Sequence, residues 1–187
     1  MGKSHEIAAE RLRAAYAGEA IAPLRDILEP TDVDGAYAVQ AINTRHWESE
    51  GRRIVGRKVG LTAKAVQQQL GVGQPDFGVL FDDMQIADGG ILKTSQALQP
   101  KAEAEVAIIL GADIDGDKID RQQVAAAVAE VTAAIEIVDS RIADWKITFA
   151  DTVADNGSSA MFVLGDTKKP LDGLDLWTCG MAMEVND

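Results

Sequence analysis

The hydrophobic pattern of the chain changes its period near residue 52, and this change limits the fold more than any other feature of the sequence. Before it, apolar side chains recur at helical spacing. After it, β-branched runs alternate with glycines, as in RRIVGRKVG at 52–60 and EAEVAIIL at 103–110, which is typical of strands. Helices followed by strands predict an α+β fold with a sheet-rich core.

Two helices are predicted in the first fifty residues. Ser4 is a candidate N-cap for a helix that runs to about Gly18. Thr31 or Asp32 caps a second helix, which ends at Gly51. Both segments carry an apolar stripe, so we expect them to pack against the rest of the domain.

Two further helices and a terminal strand are predicted after residue 52. One helix spans Ala63–Leu70, with Thr62 as its cap, and the other spans roughly Arg121–Ala134, with Asp120 as its cap. The last apolar run, LDLWTCGMAMEV at 174–185, alternates like a half-buried strand. It predicts a strand whose returning partner lies outside the sequence.

The composition excludes several classes of partner and of catalytic chemistry. The 187 residues carry 18 Lys and Arg against 30 Asp and Glu, a net charge of −12, which disfavours nucleic acid and anionic membranes as partners. The one cysteine, Cys179, and the two histidines, His5 and His46, leave little for thiolate or histidine chemistry. No apolar run is long enough for a membrane span. We expect a cytoplasmic protein whose chemistry uses carboxylates, lysine, arginine, hydroxyls or a metal.

Glutamates lie inside two predicted strands. Glu103 and Glu105 are two residues apart, so strand geometry places both on one face. Glu136 stands in the apolar run VTAAIEIVD, where a buried carboxylate needs a partner, a proton or a cation. Oxygen ligands favour a hard ion, Mg²⁺ or Mn²⁺. The alternative is that the first two face solvent and Glu136 pairs with a cation such as Arg141.

A lysine and an aspartate are candidates for substrate contacts. Lys58 lies among glycines in a basic strand that would suit an anionic substrate, although a solvated edge strand that carries lysine against aggregation is the commoner explanation. Asp76 lies in the loop GVGQPDFG. Such a loop can position its carboxylate for catalysis, or the carboxylate simply forms a hydrogen bond within its own turn. The segment 139–159 is a long structured loop rich in groups that bond the backbone.

Four long strings stand out along the chain: GEAIAPLRD, GRKVGLTAKAVQQQLGVGQPDFGVLFDDM, QPKAEAEVAIIL and IEIVDSRIADWKITFADTVADN. Together they resemble the 2-keto-4-pentenoate hydratase family, within the fumarylacetoacetate hydrolase-like superfamily. The resemblance covers nearly the whole chain in the family's order.

The resemblance implies a mixed β-roll preceded by helices. It divides the chain into an N-terminal helical segment, 1–51, and a catalytic β domain, 52–187. Family chains continue past residue 187, so the fold is expected to be incomplete at its C-terminus.

The resemblance also implies a site. It implies one Mg²⁺ or Mn²⁺ ion on the strand glutamates, and it implies that a lysine, an aspartate and a serine act on the substrate. The metal ligands are Glu103, Glu105 and Glu136, and the catalytic candidates are Lys58, Asp76 and Ser158.

The function implied by the resemblance is that of a hydro-lyase. It would hydrate a small anionic 2-hydroxy-2,4-dienoate to a 4-hydroxy-2-oxo acid in the meta-cleavage of aromatic compounds, as a homo-oligomer. One alternative is 2-oxohexenedioate (4-oxalocrotonate) decarboxylase, whose second substrate carboxylate Arg57 or Arg141 would contact. The other is a shortened, non-catalytic subunit in complex with a hydratase or with the pathway decarboxylase.

Overall fold

The computed structural model describes residues 2–69 and 71–186 and has a mixed helix and sheet architecture, as the sequence predicts. The helices are α1 (Lys3–Tyr16), α2 (Val33–Ser49), α3 (Lys64–Gln69), α4 (Arg121–Ala127) and α5 (Phe149–Ala154). The strands are β1 (Ile54–Gly60), β2 (Asp76–Phe81), β3 (Gln85–Ile86), β4 (Lys101–Leu110), β5 (Val128–Val138) and β6 (Ser159–Lys169).

The chain forms two compact units, each assembled from several segments. The first unit comprises Met1–Gln85, Leu92–Lys101 and Ile137–Met161, and the second comprises Ile86–Ile91, Ala102–Glu136 and Phe162–Asp187. The predicted division into a helical segment, 1–51, and a catalytic β domain, 52–187, stays a prediction.

The first unit has a core between helices. Apolar side chains of α1, α2 and α5 meet there, among them the fully buried Leu12, Val39 and Phe149. Burying side chains of this size contributes about 1.5–3 kcal/mol each. The N-cap of α2 is Asp32, whose carboxylate accepts a hydrogen bond from Gly35 N, so one of the two predicted caps is confirmed.

The first unit also holds a two-stranded antiparallel sheet of β1 and β2. In its register Lys58 lies opposite Gly78, and Gly60 lies opposite Asp76. Exposure alternates along β1, with Lys58 on the less exposed face. This alternation confirms the predicted strand and brings the lysine close to the start of β2.

The other sheet has four strands in the order β3-β6-β5-β4, and most of it belongs to the second unit. Because β4 and β5 are neighbours, residues of EAEVAIIL come beside residues of VTAAIEIVD. Both runs are strands, as predicted.

Three predictions of local structure are wrong. Gly2, not Ser4, is the N-cap of α1, because the helix begins two residues earlier than predicted. The predicted helix 121–134 ends at Ala127, and residues 128–134 belong to strand β5. The strand forms because this segment pairs with its neighbours in the four-stranded sheet. The predicted strand at 174–185 is irregular and mostly exposed, because no strand among the described residues pairs with it.

Other predicted features agree with the structure or lie outside it. The cap of α4 is Asp120, which accepts a hydrogen bond from Gln123 N, as predicted. The predicted helix end at Leu70 falls outside the described residues. Within those residues, no helix has the length and apolar character needed to cross a membrane.

Candidate active site and metal centre

Three glutamates converge in the second unit. Glu103 and Glu105 come from β4 and Glu136 from β5, and one carboxylate oxygen from each lies within 4.8 Å of the other two. Glu136 is buried, Glu105 is partly buried and Glu103 is exposed. The strand spacing places the first two on one face, and strand pairing brings the third beside them.

The donor set fits a hard divalent cation. Carboxylate oxygens bind Mg²⁺ or Ca²⁺ at about 2.0–2.6 Å, which leaves ligands of one ion roughly 3 to 5 Å apart. The separations within the cluster are at most 4.8 Å and so do not exceed this range. A graded exposure from buried to open also leaves one side of the cluster accessible to water or substrate.

Lys58 is held in a cradle of glycines in the first unit. Its Nζ donates a hydrogen bond to the carbonyl oxygen of Gly157 at 3.0 Å. A Cβ atom at Gly60, Gly78 or Gly157 would come within 3.1 Å of the lysine side chain. The stem of Lys58 therefore fits only because these positions lack side chains, which argues against the alternative of a freely solvated lysine.

Asp76 is the first residue of β2 and is 2% exposed. Burial raises the pKa of the Asp76 carboxyl, while the nearby Lys58 charge and a hydrogen bond from the Gly60 backbone oppose the rise. Its Oδ1 is buried and accepts no hydrogen bond from the described residues. The raised pKa and the unused oxygen give this carboxyl the character of a proton acceptor.

A left-handed turn carries the carbonyl group that Lys58 bonds. Asn156, Gly157 and Ser158 have φ values of 59°, 62° and 53°, a conformation that non-glycine residues seldom adopt. The hydroxyl of Ser158 is buried and lies 3.1 Å from the Thr152 hydroxyl. Ser158 thus adjoins the lysine cradle through the backbone, and its side chain is hydrogen-bonded to α5.

The side chain of Asn156 ties this turn to β2. Its Oδ1 accepts from Val79 N at 2.7 Å, and its Nδ2 donates to Val79 O at 2.9 Å. Asn156 is 3% exposed. The amide therefore occupies the place that a backbone group of a further strand would take.

A buried ion pair underlies the same turn. Arg141 donates from Nε to Asp155 Oδ1 at 2.6 Å, and its guanidinium lies 4.2 Å from the Tyr16 ring centre. Burial raises the pKa of Asp155 to about 6, against the opposing charge of Arg141. The guanidinium of Arg141 also bonds the Ser159 carbonyl.

A cavity of about 340 Å³ lies in the first unit. Arg52 and Arg141 both line it, and each is already paired with an aspartate, Asp83 and Asp155 respectively. Because both charges are balanced, the cavity offers no excess positive charge to an anion.

The sequence analysis names the candidate side chains, and the structure adds the groups that contact them. Asn156, Gly157 and the pair Arg141–Asp155 were not singled out for these contacts. The only signal was the density of backbone-bonding residues in the segment 139–159.

The mixed helix and sheet fold and the three-carboxylate cluster are compatible with a divalent metal. No protein-family model matches the chain. It is 55% identical over 185 residues to 2-keto-4-pentenoate hydratase 1 of Dechloromonas aromatica (strain RCB), covering 98% of the chain and 70% of that protein. It is 43% identical over 179 residues to 2-hydroxyhexa-2,4-dienoate hydratase of Comamonas testosteroni, covering 95% and 67%.

A solved structure is similar as well. The 4-oxalocrotonate decarboxylase from Pseudomonas putida G7, complexed with magnesium and adipate, matches with a TM-score of 0.84 and 33% identity, covering 93% of this chain and 66% of that one. A second structure of that decarboxylase contains calcium and acetate. The chain belongs to the 2-keto-4-pentenoate hydratase family, whose members are hydro-lyases.

Proposed function

We propose that the protein adds water to a 2-hydroxy-2,4-dienoate and forms a 4-hydroxy-2-oxo acid, a step in the meta-cleavage of aromatic compounds. The single observation that supports this most is the meeting of Glu103, Glu105 and Glu136 oxygens within 4.8 Å. A hydratase of this family needs a place for a divalent cation, and the names of relatives at 43–55% identity point to dienoate hydration.

The three glutamates are proposed as the metal ligands, with Mg²⁺ or Mn²⁺ as the ion. When bound, such a cation supplies Lewis-acid stabilisation of negative charge on an oxo acid. The decarboxylase structure with magnesium and adipate supports a metal of this kind. Titrating the protein with each ion in a calorimeter measures which of the two it prefers.

Lys58 is proposed to hold the anionic substrate. Its ammonium group has a fixed direction, because Nζ donates to the Gly157 carbonyl and the glycines confine the stem. A charge fixed in this way can orient a carboxylate without a large loss of side-chain entropy on binding.

Asp76 is proposed to move the proton. Water addition requires that a proton leave the attacking water oxygen and that another reach a substrate carbon. A carboxylate whose pKa is raised by burial can accept the first proton at its free Oδ1. Ser158 is proposed as a further group of the site. This proposal rests on the resemblance alone, because the one contact of the Ser158 hydroxyl described above is with the Thr152 hydroxyl.

The decarboxylase alternative has less support in the contacts. It requires an additional cation for a second substrate carboxylate, and Arg141 was one of two candidates. The guanidinium of Arg141 is fully buried and bonds Asp155 and Ser159. Arg57, the other candidate, is exposed and donates to the Gly56 carbonyl.

One experiment separates the two reactions. The protein is incubated with 2-hydroxypenta-2,4-dienoate or with 2-oxohexenedioate, each with Mg²⁺ or Mn²⁺. We expect loss of the dienol absorbance with the first substrate and no CO₂ from the second. Release of CO₂ would favour the decarboxylase, and no turnover of either substrate despite bound metal would favour the non-catalytic subunit.

The β-roll type, the homo-oligomer and the cytoplasmic location are proposals that rest on the resemblance. The observation that supports a roll is the four-stranded sheet with the strand order β3-β6-β5-β4. Light scattering of the purified protein measures its mass in solution, and co-purification with a pathway decarboxylase tests the proposed complex.

A further inference from the structure

The ammonium of Lys58 contacts the backbone of the left-handed turn at residues 156–158. The Gly157 carbonyl accepts from Nζ at 3.0 Å. On the other side, a Cβ at Gly78 would collide with the Asn156 carbonyl oxygen and come within 3.0 Å of the Lys58 stem. The lysine is thus enclosed between β2 and the turn, so its position depends on the spacing of these two.

One side chain joins the turn to β2. Asn156 belongs to the turn, and both polar atoms of its amide bond the backbone of Val79 on β2. The amide is buried, and its two bonds are 2.7 and 2.9 Å long. A bidentate contact of this kind fixes distance and orientation together.

The backbone of the turn needs such support. Its three residues have φ values between 53° and 62°, and strained conformations of this kind persist only where the surroundings hold them. Asparagine is among the few non-glycine residues that tolerate this region. Asn156 therefore serves the turn both through its backbone and through its amide.

We propose that Asn156 is a positioning residue for Lys58: by joining the turn to β2, its amide aims the lysine ammonium at the substrate. The inference rests on the proposed function of Lys58. Asn156 itself does not touch the substrate. Its removal leaves the lysine present and charged but loosens the turn whose carbonyl accepts from its ammonium, and a displacement of about 1 Å can cost roughly a hundredfold in rate.

The test uses Asn156→Gly, because glycine keeps the left-handed φ and removes only the amide. The matched control is Asn43→Ala, which removes a side chain of the same type that is 2% exposed in α2 and accepts from Arg13. Activity is measured with 2-hydroxypenta-2,4-dienoate and saturating Mn²⁺. We expect kcat to fall about a hundredfold in Asn156→Gly with KM nearly unchanged, and kcat to stay near normal in Asn43→Ala.

A second readout does not depend on activity. Acetic anhydride labelling followed by mass spectrometry compares the reactivity of Lys58 with that of the exposed Lys93 and Lys118. We expect Lys58 to react more slowly than both in the unaltered protein. In Asn156→Gly its relative rate should rise several-fold, because the ammonium is no longer held against Gly157.

The outcomes separate the inference from the proposed function. If the unaltered protein does not hydrate the dienoate, the proposed function fails, and the labelling rate of Lys58 alone decides the inference. If Asn156→Gly labels and turns over like Asn43→Ala, the inference is overturned.

Should Asn156→Gly not fold by circular dichroism, Asn156→Asp replaces it. Aspartate keeps an oxygen that can accept from Val79 N and removes the donor to Val79 O. Unchanged labelling of Lys58 in that variant also overturns the inference.

Discussion

Arg141 Nε lies 2.6 Å from Asp155 Oδ1, and both side chains are almost completely buried. The guanidinium of Arg141 further donates to the backbone carbonyls of Asp155 and Ser159. This pair joins the end of α5 to the start of β6, so the strained turn between them has a fixed base.

Replacing Asp155 with Asn should destabilise the protein by about 3–5 kcal/mol, because Arg141 would keep a buried charge without a carboxylate. Urea denaturation measures the free energy of unfolding. The control is Asp26→Asn, which breaks the exposed pair with Arg11 and should cost about 1 kcal/mol or less. Equal losses in the two variants would contradict the structural role of the buried pair.

Replacing Glu136 with Gln should abolish metal uptake and leave the fold intact. The substitution keeps the size of the side chain and removes the anionic ligand that is buried in the cluster. Calorimetric titration with Mn²⁺ measures the uptake, and circular dichroism measures the fold. Glu130→Gln on the same strand removes an exposed carboxylate and serves as the control. Undiminished Mn²⁺ binding by the Glu136 variant would refute the ligand assignment.

Replacing Lys58 with Met should cost far more turnover than melting temperature. The aliphatic stem still fills the glycine cradle, while the ammonium that bonds Gly157 is lost. Steady-state kinetics and thermal denaturation give the two numbers. Arg57→Met changes the neighbouring side chain on the opposite, exposed face of β1 and should leave both nearly unchanged. A large stability loss with normal specific activity in the Lys58 variant would show a structural lysine.

The activity should fall at acidic pH through a pKa above the ordinary value for an aspartate. Burial raises the pKa of Asp76, and a general base acts only when it is deprotonated, so the rate rises as the pH rises through that raised value. The acidic limb of kcat/KM at saturating Mn²⁺ reports it.

Asp76→Asn should remove this limb and lower kcat/KM by about 10²- to 10⁴-fold. Asp83→Asn changes a partly exposed carboxylate that is paired with Arg52 and should keep the limb. If the limb persists unchanged in the Asp76 variant, another group is the base.

The sequence predicts the parts of the fold that depend on neighbouring residues. The period-two spacing of Glu103 and Glu105 places both on one face of β4, and the caps Asp32 and Asp120 are where side-chain chemistry puts them. These features are local, so a single sequence contains the information.

The sequence fails where distant residues decide the structure. Residues 128–134 have a helical as well as an extended pattern, and pairing in the sheet selects the strand. Asn156 and Val79 are separated by 77 positions along the chain, and Lys58 and Gly157 by 99. Spacing along the chain carries no information on such pairs, so the support of the site appears only in the fold.

On the outer side of β2, side chains form hydrogen bonds with backbone groups that could otherwise pair with a strand of another chain. Tyr37 and Gln40 bond the backbone of Phe77, and Asn156 bonds that of Val79. The N–H and C=O groups that a foreign extended segment would recruit are thus already occupied by side chains. The β2 side of this small sheet is therefore protected from strand addition at Phe77 and Val79, and substitution of these three side chains would expose it to self-association.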